Sequence, residues 1–156
     1  MKKLLIVAMM GTVSYGAYRL LGSEEHAATD GEQLVLDRIW LDHVPKNDRD
    51  TVQVFVSLSE ESFGLFQNAS TWKGAYEVFR YEAHGNELRL TYPQSNERET
   101  LRHKARRCTE QGMDFCLELD GGTRGVKRYY SRKGWEIEGV PPAQVDDKVD
   151  ALVKSL

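Results

Sequence analysis

Between Leu34 and Ile137 the chain alternates apolar and polar residues with a period of two. That period sends successive side chains to opposite faces of an extended strand, so the stretch is suited to β-structure with one face buried. Val52, Val54, Val56 and Leu58 alternate with Gln53, Phe55 and Ser57; Leu88, Leu90 and Tyr92 with Glu87, Arg89 and Thr91; Phe115, Leu117 and Leu119 with Cys116, Glu118 and Asp120. Turn formers separate the runs at Gly85-Asn86, Pro93-Gln94-Ser95-Asn96, Gly121-Gly122 and Lys133-Gly134. The pattern predicts an all-β fold, an antiparallel meander of about seven or eight strands.

Neighbouring hairpins test the register. A two-residue turn at Gly85-Asn86 sets Tyr81 opposite Leu90, Phe79 opposite Tyr92 and Glu82 opposite Arg89. A four-residue loop over Pro93 to Asn96 sets Leu88 against Leu101 and Glu87 against Arg102. Pairing Cys108 with Cys116 then sets Arg106 against Glu118 and Lys104 against Asp120. A one-residue slip would reverse every face, so this agreement between hairpins carries weight. The inward face is expected to hold Phe79, Tyr81, Tyr92, Leu101, Leu117, Leu119, Tyr129, Trp135 and Ile137. The same phase sends Glu99, His103 and Arg107 inward, with Glu77 and Lys127 as candidate neighbours. Buried charges are costly unless paired or wetted. These groups therefore either line a polar pocket beneath Phe79, Tyr81, Tyr92 and Tyr129, or lie where the strand frays or bulges into solvent. In the pocket, Arg107 would anchor an anionic head group through a bidentate contact. His103 would make binding pH-sensitive.

The two ends of the chain differ from this middle. Lys2 and Lys3 precede an apolar stretch from Leu4 to Leu21, the pattern of a secretory signal or, if uncleaved, of a signal anchor. Residues 1–22 are read as that segment, and the polar residues 23–33 as a flexible spacer. The antiparallel β domain is placed at 34–140. Residues 141–156 follow as a C-terminal amphipathic helix, with Pro142 near its start and Val145, Val149, Leu152, Val153 and Leu156 at helical spacing. Its deletion is expected to lower stability modestly.

Export bears on the two cysteines. Cys108 and Cys116 are the only ones, which suggests one disulfide on the outward face. Two thiols without nearby histidines do not make a zinc site. Charge is uneven, with a net of -7 over residues 23–62 and +5 over 98–133. The outward Arg102, Lys104 and Arg106 each face an acid and lack interleaved aromatics, so a solvated, salt-bridged wall is expected rather than a nucleic-acid surface. No Gly-rich phosphate loop, nucleophile elbow or His-Glu-x-x-His motif occurs. Neither catalysis nor a metal or other cofactor is expected. Asp42-His43 reads as surface loop. A hydrolase pairing His103 with Glu99 is the least favoured alternative.

An apolar strand ending in Trp40, the Trp72-Lys73-Gly74-Ala75-Tyr76 segment and the meander of short hairpins together resemble the lipocalin-like (calycin) barrels over roughly residues 34–137. Asp37-Arg38-Ile39-Trp40 stands where that family carries its G-x-W signature. The resemblance implies a barrel or curved sheet and non-catalytic binding of a small, largely apolar ligand. The resulting expectation is an exported, periplasmic or extracellular binding domain for a small amphipathic ligand with an anionic group. Phe79, Tyr81, Tyr92, Glu99, His103, Arg107 and Tyr129 would be its site, and residues 4–21 would contact the membrane if retained. The alternative is an envelope-associated interaction or structural module without a cavity, whose protein partner the sequence does not name.

Overall fold

Short turns between alternating strands favour sequential antiparallel pairing, and the computed structural model closes that ladder on itself. It describes residues 34–47, 49–70 and 74–156. The signal or anchor segment, the spacer and Trp72-Lys73 lie outside the described residues. Eight strands follow in order: β1 (Arg38–Leu41), β2 (Val52–Leu58), β3 (Phe63–Ala69), β4 (Gly74–His84), β5 (Glu87–Thr91), β6 (Arg98–Arg107), β7 (Phe115–Asp120) and β8 (Arg128–Ser131). Each pairs with its neighbour, and β8 returns to β1 through Leu41 opposite Tyr130, closing the barrel. Closure leaves no sheet edge for another chain to extend.

The β4–β5 and β5–β6 registers follow the cross-strand expectation, with Tyr81 opposite Leu90, Glu82 opposite Arg89, and Leu88 opposite Leu101. The β6–β7 register differs by two residues: Arg106 faces Cys116, Lys104 faces Glu118 and Arg102 faces Asp120. The connection holds a 3-10 turn over Glu110–Gly112, with Gln111 and Gly112 at positive φ, so its geometry and not the cysteine pair sets the register. An even shift preserves both faces, and Cys108 and Cys116 still bond across it, with Cα atoms 5.7 Å apart. The bridge lies outside the barrel but is covered, because Met113, Tyr130 and Trp135 pack around it. Such a bond persists in oxidising compartments.

The interior holds Trp40, Phe55, Phe66, Phe79, Tyr81, Tyr92 and Tyr129 among leucines from β5, β6 and β7. Ring centroids lie 5.2 Å apart for Phe55–Phe66, 5.4 Å for Phe66–Phe79 and 6.1 Å for Phe79–Tyr92. Gly64 lies opposite Phe79, and a Cβ there would sit 2.3 Å from the Phe79 ring. A side chain on β3 at that point would displace the ring.

A second core lies outside the wall. β2 turns its apolar face outward: Val52, Val54, Val56 and Leu58 join Ile39, Leu41 and Leu65, while Gln53, Phe55 and Ser57 take the inward phase. The helix α1 (Pro142–Lys154) covers this wall with Val145, Val149 and Val153. Pro142 opens the helix, where its missing N–H costs nothing, and Lys154 complements the C-terminal end of the dipole. Trp135 and Ile137 were expected inside the barrel. Both instead join the outer clusters, because the chain after β8 turns over the outside of β1, where Ile39 N–H bonds Trp135 O at 3.0 Å.

Candidate functional site

Among the described residues, the connections after β1, β5 and β7 meet at one end of the barrel. The last of them, residues 121–127, is longer than the Gly121-Gly122 turn read from the sequence, and it folds down into the opening. Gly125, at φ 70, approaches so closely that a Cβ would lie 2.2 Å from the Tyr129 hydroxyl and 2.8 Å from the Phe66 ring. The Tyr129 hydroxyl in turn accepts the Val126 N–H at 2.9 Å. Glycine is the residue that tolerates both that backbone angle and that approach.

This descent delivers Arg124 into the mouth. Its Nε donates to Glu77 at 2.8 Å, one terminal nitrogen donates to Glu99 at 2.7 Å, and the other bonds the Glu97 carboxylate. Its Cζ stands 3.7 Å from the centroid of the Tyr92 ring, a cation–π contact. Glu99 also accepts the Tyr92 hydroxyl at 3.1 Å and the Thr123 backbone N–H at 3.3 Å. The Arg124 bond holds the Glu97 carboxyl below the usual carboxylate range. Burial works to raise Glu99, but hydrogen bonds from Thr123, Tyr92 and Arg124 outweigh it and hold that carboxyl low as well. Burial, reinforced by the Glu99 charge, pushes the Tyr92 hydroxyl up. Three carboxylates around one guanidinium form a latch across the mouth, with an excess of negative charge.

The opposite end is closed differently. Val35 is fully buried in the interior cluster, and the Trp40 indole donates to its carbonyl at 3.1 Å. Arg38, also inward, lies 4.2 Å from the Phe115 ring centroid and donates to Arg132 O at 2.8 Å and to Glu136. The Tyr81 hydroxyl donates to Leu58 O at 2.9 Å, and burial pushes its pKa up to about 12.

The residues expected to line a pocket therefore separate. Phe79, Tyr81, Tyr92 and Tyr129 do come together, but against one another. Glu99 and Glu77 meet at the mouth, on Arg124. His103 is buried lower in the barrel, between Leu101 and Ala105 on β6 and opposite Leu119. Arg107 keeps the inward phase and yet is exposed, because β6 ends there at the rim. Lys127 is exposed as well. Sequence reasoning passed over Arg124, although three glycines around one arginine in a seven-residue connection were a readable signal. It also separated Asp42 from His43 on strand alternation. β1 ends at Leu41, so alternation no longer applies, and His43 sits 2.9 Å from Asp42 and 3.2 Å from Asp50 in the loop. Among the described residues no group of three or more His, Cys, Asp or Glu is arranged to hold a metal ion.

The latch implies a pH response. Glu97 and Glu99 have folded-state pKa values below their unfolded ones, so their contribution is full above the unfolded value and is lost as pH falls through the folded one. Urea denaturation of the wild type should therefore show stability falling as pH drops below about 4.5. Arg124→Gln should be less stable at neutral pH and should lose less on acidification, since Glu77, Glu97 and Glu99 then repel one another until protonated. Parallel pH profiles for the two proteins would show that the latch contributes nothing.

Comparison of the chain with protein families, with curated proteins and with solved structures returns no match.

Proposed function

We propose that this chain is a non-catalytic, extracytoplasmic module that works through the outside of a filled barrel, as an envelope-associated interaction or structural element. The observation that carries the reading is the interior: eight aromatic side chains occupy it, and both ends are closed by the chain itself. Eight strands in up-and-down order is the architecture of lipocalin-like barrels. We read this chain as a relative of that class in architecture, with side chains standing where such a barrel would hold its ligand. The small amphipathic ligand would have to part those rings and release Arg124 from three carboxylates. The covered Cys108–Cys116 bridge supports a periplasmic or extracellular location, with residues 4–21 as tether if they are retained.

Titration of the full-length protein with a long-chain fatty acid and with anilinonaphthalene sulfonate tests the reading, using Trp40 fluorescence as the interior probe. No saturable change is expected. Saturable uptake with quenching of Trp40 would restore the cavity and overturn the filled barrel.

A further inference from the structure

The outer wall has two halves. α1 covers the side built from β1, β2 and β3, whereas the outward residues of β5 and β6, and of β4 from Arg80 onward, are polar. On most of this open wall, arginines are matched by acids. Arg102 bonds Asp120 at 2.7 Å, Arg106 bonds Glu110 at 2.8 Å, and Arg128 lies 3.3 Å from Glu118. One place departs from that rule. Thr91 on β5 faces Arg80 on β4 and Arg98 on β6, and Arg89 stands two residues back on the same face. All three arginines are exposed, and none forms an ion pair among the described residues. Arg89 does face Glu82 in register, but the carboxylate of Glu82 lies by His84, at 3.6 Å. Adjacent strands are about 4.8 Å apart, so three cations share a patch roughly 10 Å across, with the Thr91 hydroxyl between Arg80 and Arg98 and the Glu82 carboxylate turned toward His84. Like charges gathered so closely repel one another, and an anion relieves that repulsion.

A groove runs from this patch. It measures about 570 Å³, and its lining includes Arg80, Arg89 and Thr91 together with Glu61, Ser62 and Glu82. That is the size of a small-molecule site. Its lining carries both charges, with Glu82 directly across from Arg89. Three guanidinium forks match the three terminal oxygens of a phosphate better than the two of a carboxylate. Three positive charges also suit a monoester, which carries about -1.5 to -2 at neutral pH, better than a singly charged diester.

We propose that Arg80, Arg89 and Arg98, gathered around the Thr91 hydroxyl, recognise the phosphate monoester of a small soluble ligand whose other end is cationic and lies along the groove toward Glu61 and Glu82. The site goes beyond the filled-barrel reading: it needs an open outer wall and makes no use of the interior.

Calorimetry on the full-length protein at low ionic strength tests it, with O-phosphoethanolamine and inorganic phosphate as probes. O-phosphoethanolamine should bind the more tightly, and added salt should weaken both. Arg80→Ala and Arg98→Ala should each weaken it by roughly tenfold or more, as loss of a charge-assisted fork would. Arg102→Ala, which removes an arginine already paired with Asp120, should leave binding unchanged. Glu82→Gln should weaken O-phosphoethanolamine and spare inorganic phosphate, which has no cationic end. The proposal is overturned if neither phosphate binds, or if Arg102→Ala costs as much as Arg98→Ala, which would mean a diffuse field. Binding only to phospholipid vesicles, lost in Arg98→Ala, would also overturn it in favour of a lipid surface. Uptake of fatty acid with Trp40 quenching would sink the filled barrel while leaving this site standing. A groove that binds nothing, with Trp40 unperturbed, would do the reverse.

Discussion

A chain ending at Val140 should fail to hold the barrel, rather than fold as a slightly weaker one. Val145 and Val149 are completely buried in α1, and Val153 nearly so. Burying a side chain of this kind contributes about 1.5–3 kcal/mol, so the three together amount to roughly 5–9 kcal/mol. That gross figure is an upper bound, since the unfolded chain is itself partly collapsed, yet it approaches the whole stability of a typical domain, about 5–15 kcal/mol. The loss does not stop at the helix. Ile39, Leu41, Val54, Val56 and Leu65 would form an open apolar wall across β1 to β3, and such patches drive association. The truncated chain is expected to aggregate or to melt far below the full one. Val149→Asp should reproduce the effect without shortening the chain, because its carboxylate would be buried against that wall with no partner. A truncated protein that stays monomeric with an unchanged melting curve would mean that α1 is not part of the core.

Phe79→Ala should be the most damaging single truncation inside the barrel. The ring is fully buried and touches the rings of Phe55, Phe66, Tyr81 and Tyr92, at centroid distances from 5.4 to 6.4 Å. Large-to-small changes of this kind cost about 3–5 kcal/mol, more where the surroundings cannot collapse. They cannot easily do so here, because a closed barrel fixes the separation of its walls and Gly64 offers no side chain from the opposite strand. Phe79→Leu should cost distinctly less. Equilibrium urea denaturation reads both. The void in Phe79→Ala should also stay dry and accept benzene or xenon, which the wild type should not take up. Equal, small losses in the two variants would indicate that the interior is looser than its ring distances imply.

Much of the fold was legible because it is written in local rules. Alternation identified the strands, and Gly85-Asn86 and Pro93 to Asn96 aligned β4, β5 and β6 with Tyr81 on Leu90 and Leu88 on Leu101. The cysteine pair, read from count and spacing, is bonded. The C-terminal helix, read over residues 141–156 from Pro142 and the spacing of Val145, Val149, Leu152, Val153 and Leu156, runs over Pro142–Lys154. Each of these depends on residues within one hairpin or one helix.

What the tertiary structure alone decided shares one physical reason: the outcome turns on contacts between segments far apart in the chain. Alternation marks the apolar face of a strand but cannot say whether that face lies inside the barrel or beneath a covering helix. The outer wall of β2 was therefore invisible until α1 was seen to cover it, and the helix that looked like a modest addition became part of a core. Trp135 and Ile137 keep a strand-like phase but follow the backbone over the outside of β1, so phase did not place them. Arg107 has the inward phase and is exposed, because the barrel rim, set by the stagger of neighbouring strands, falls where β6 ends. The mouth is the clearest case. Glu77, Glu97 and Glu99 come from β4, the β5–β6 connection and β6, and Arg124 from a connection more than twenty residues further on. Local sequence determines that those residues are charged and that the connection is rich in glycine. Only closure of the barrel brings them within bonding distance, and with that it turns an expected pocket into a latch.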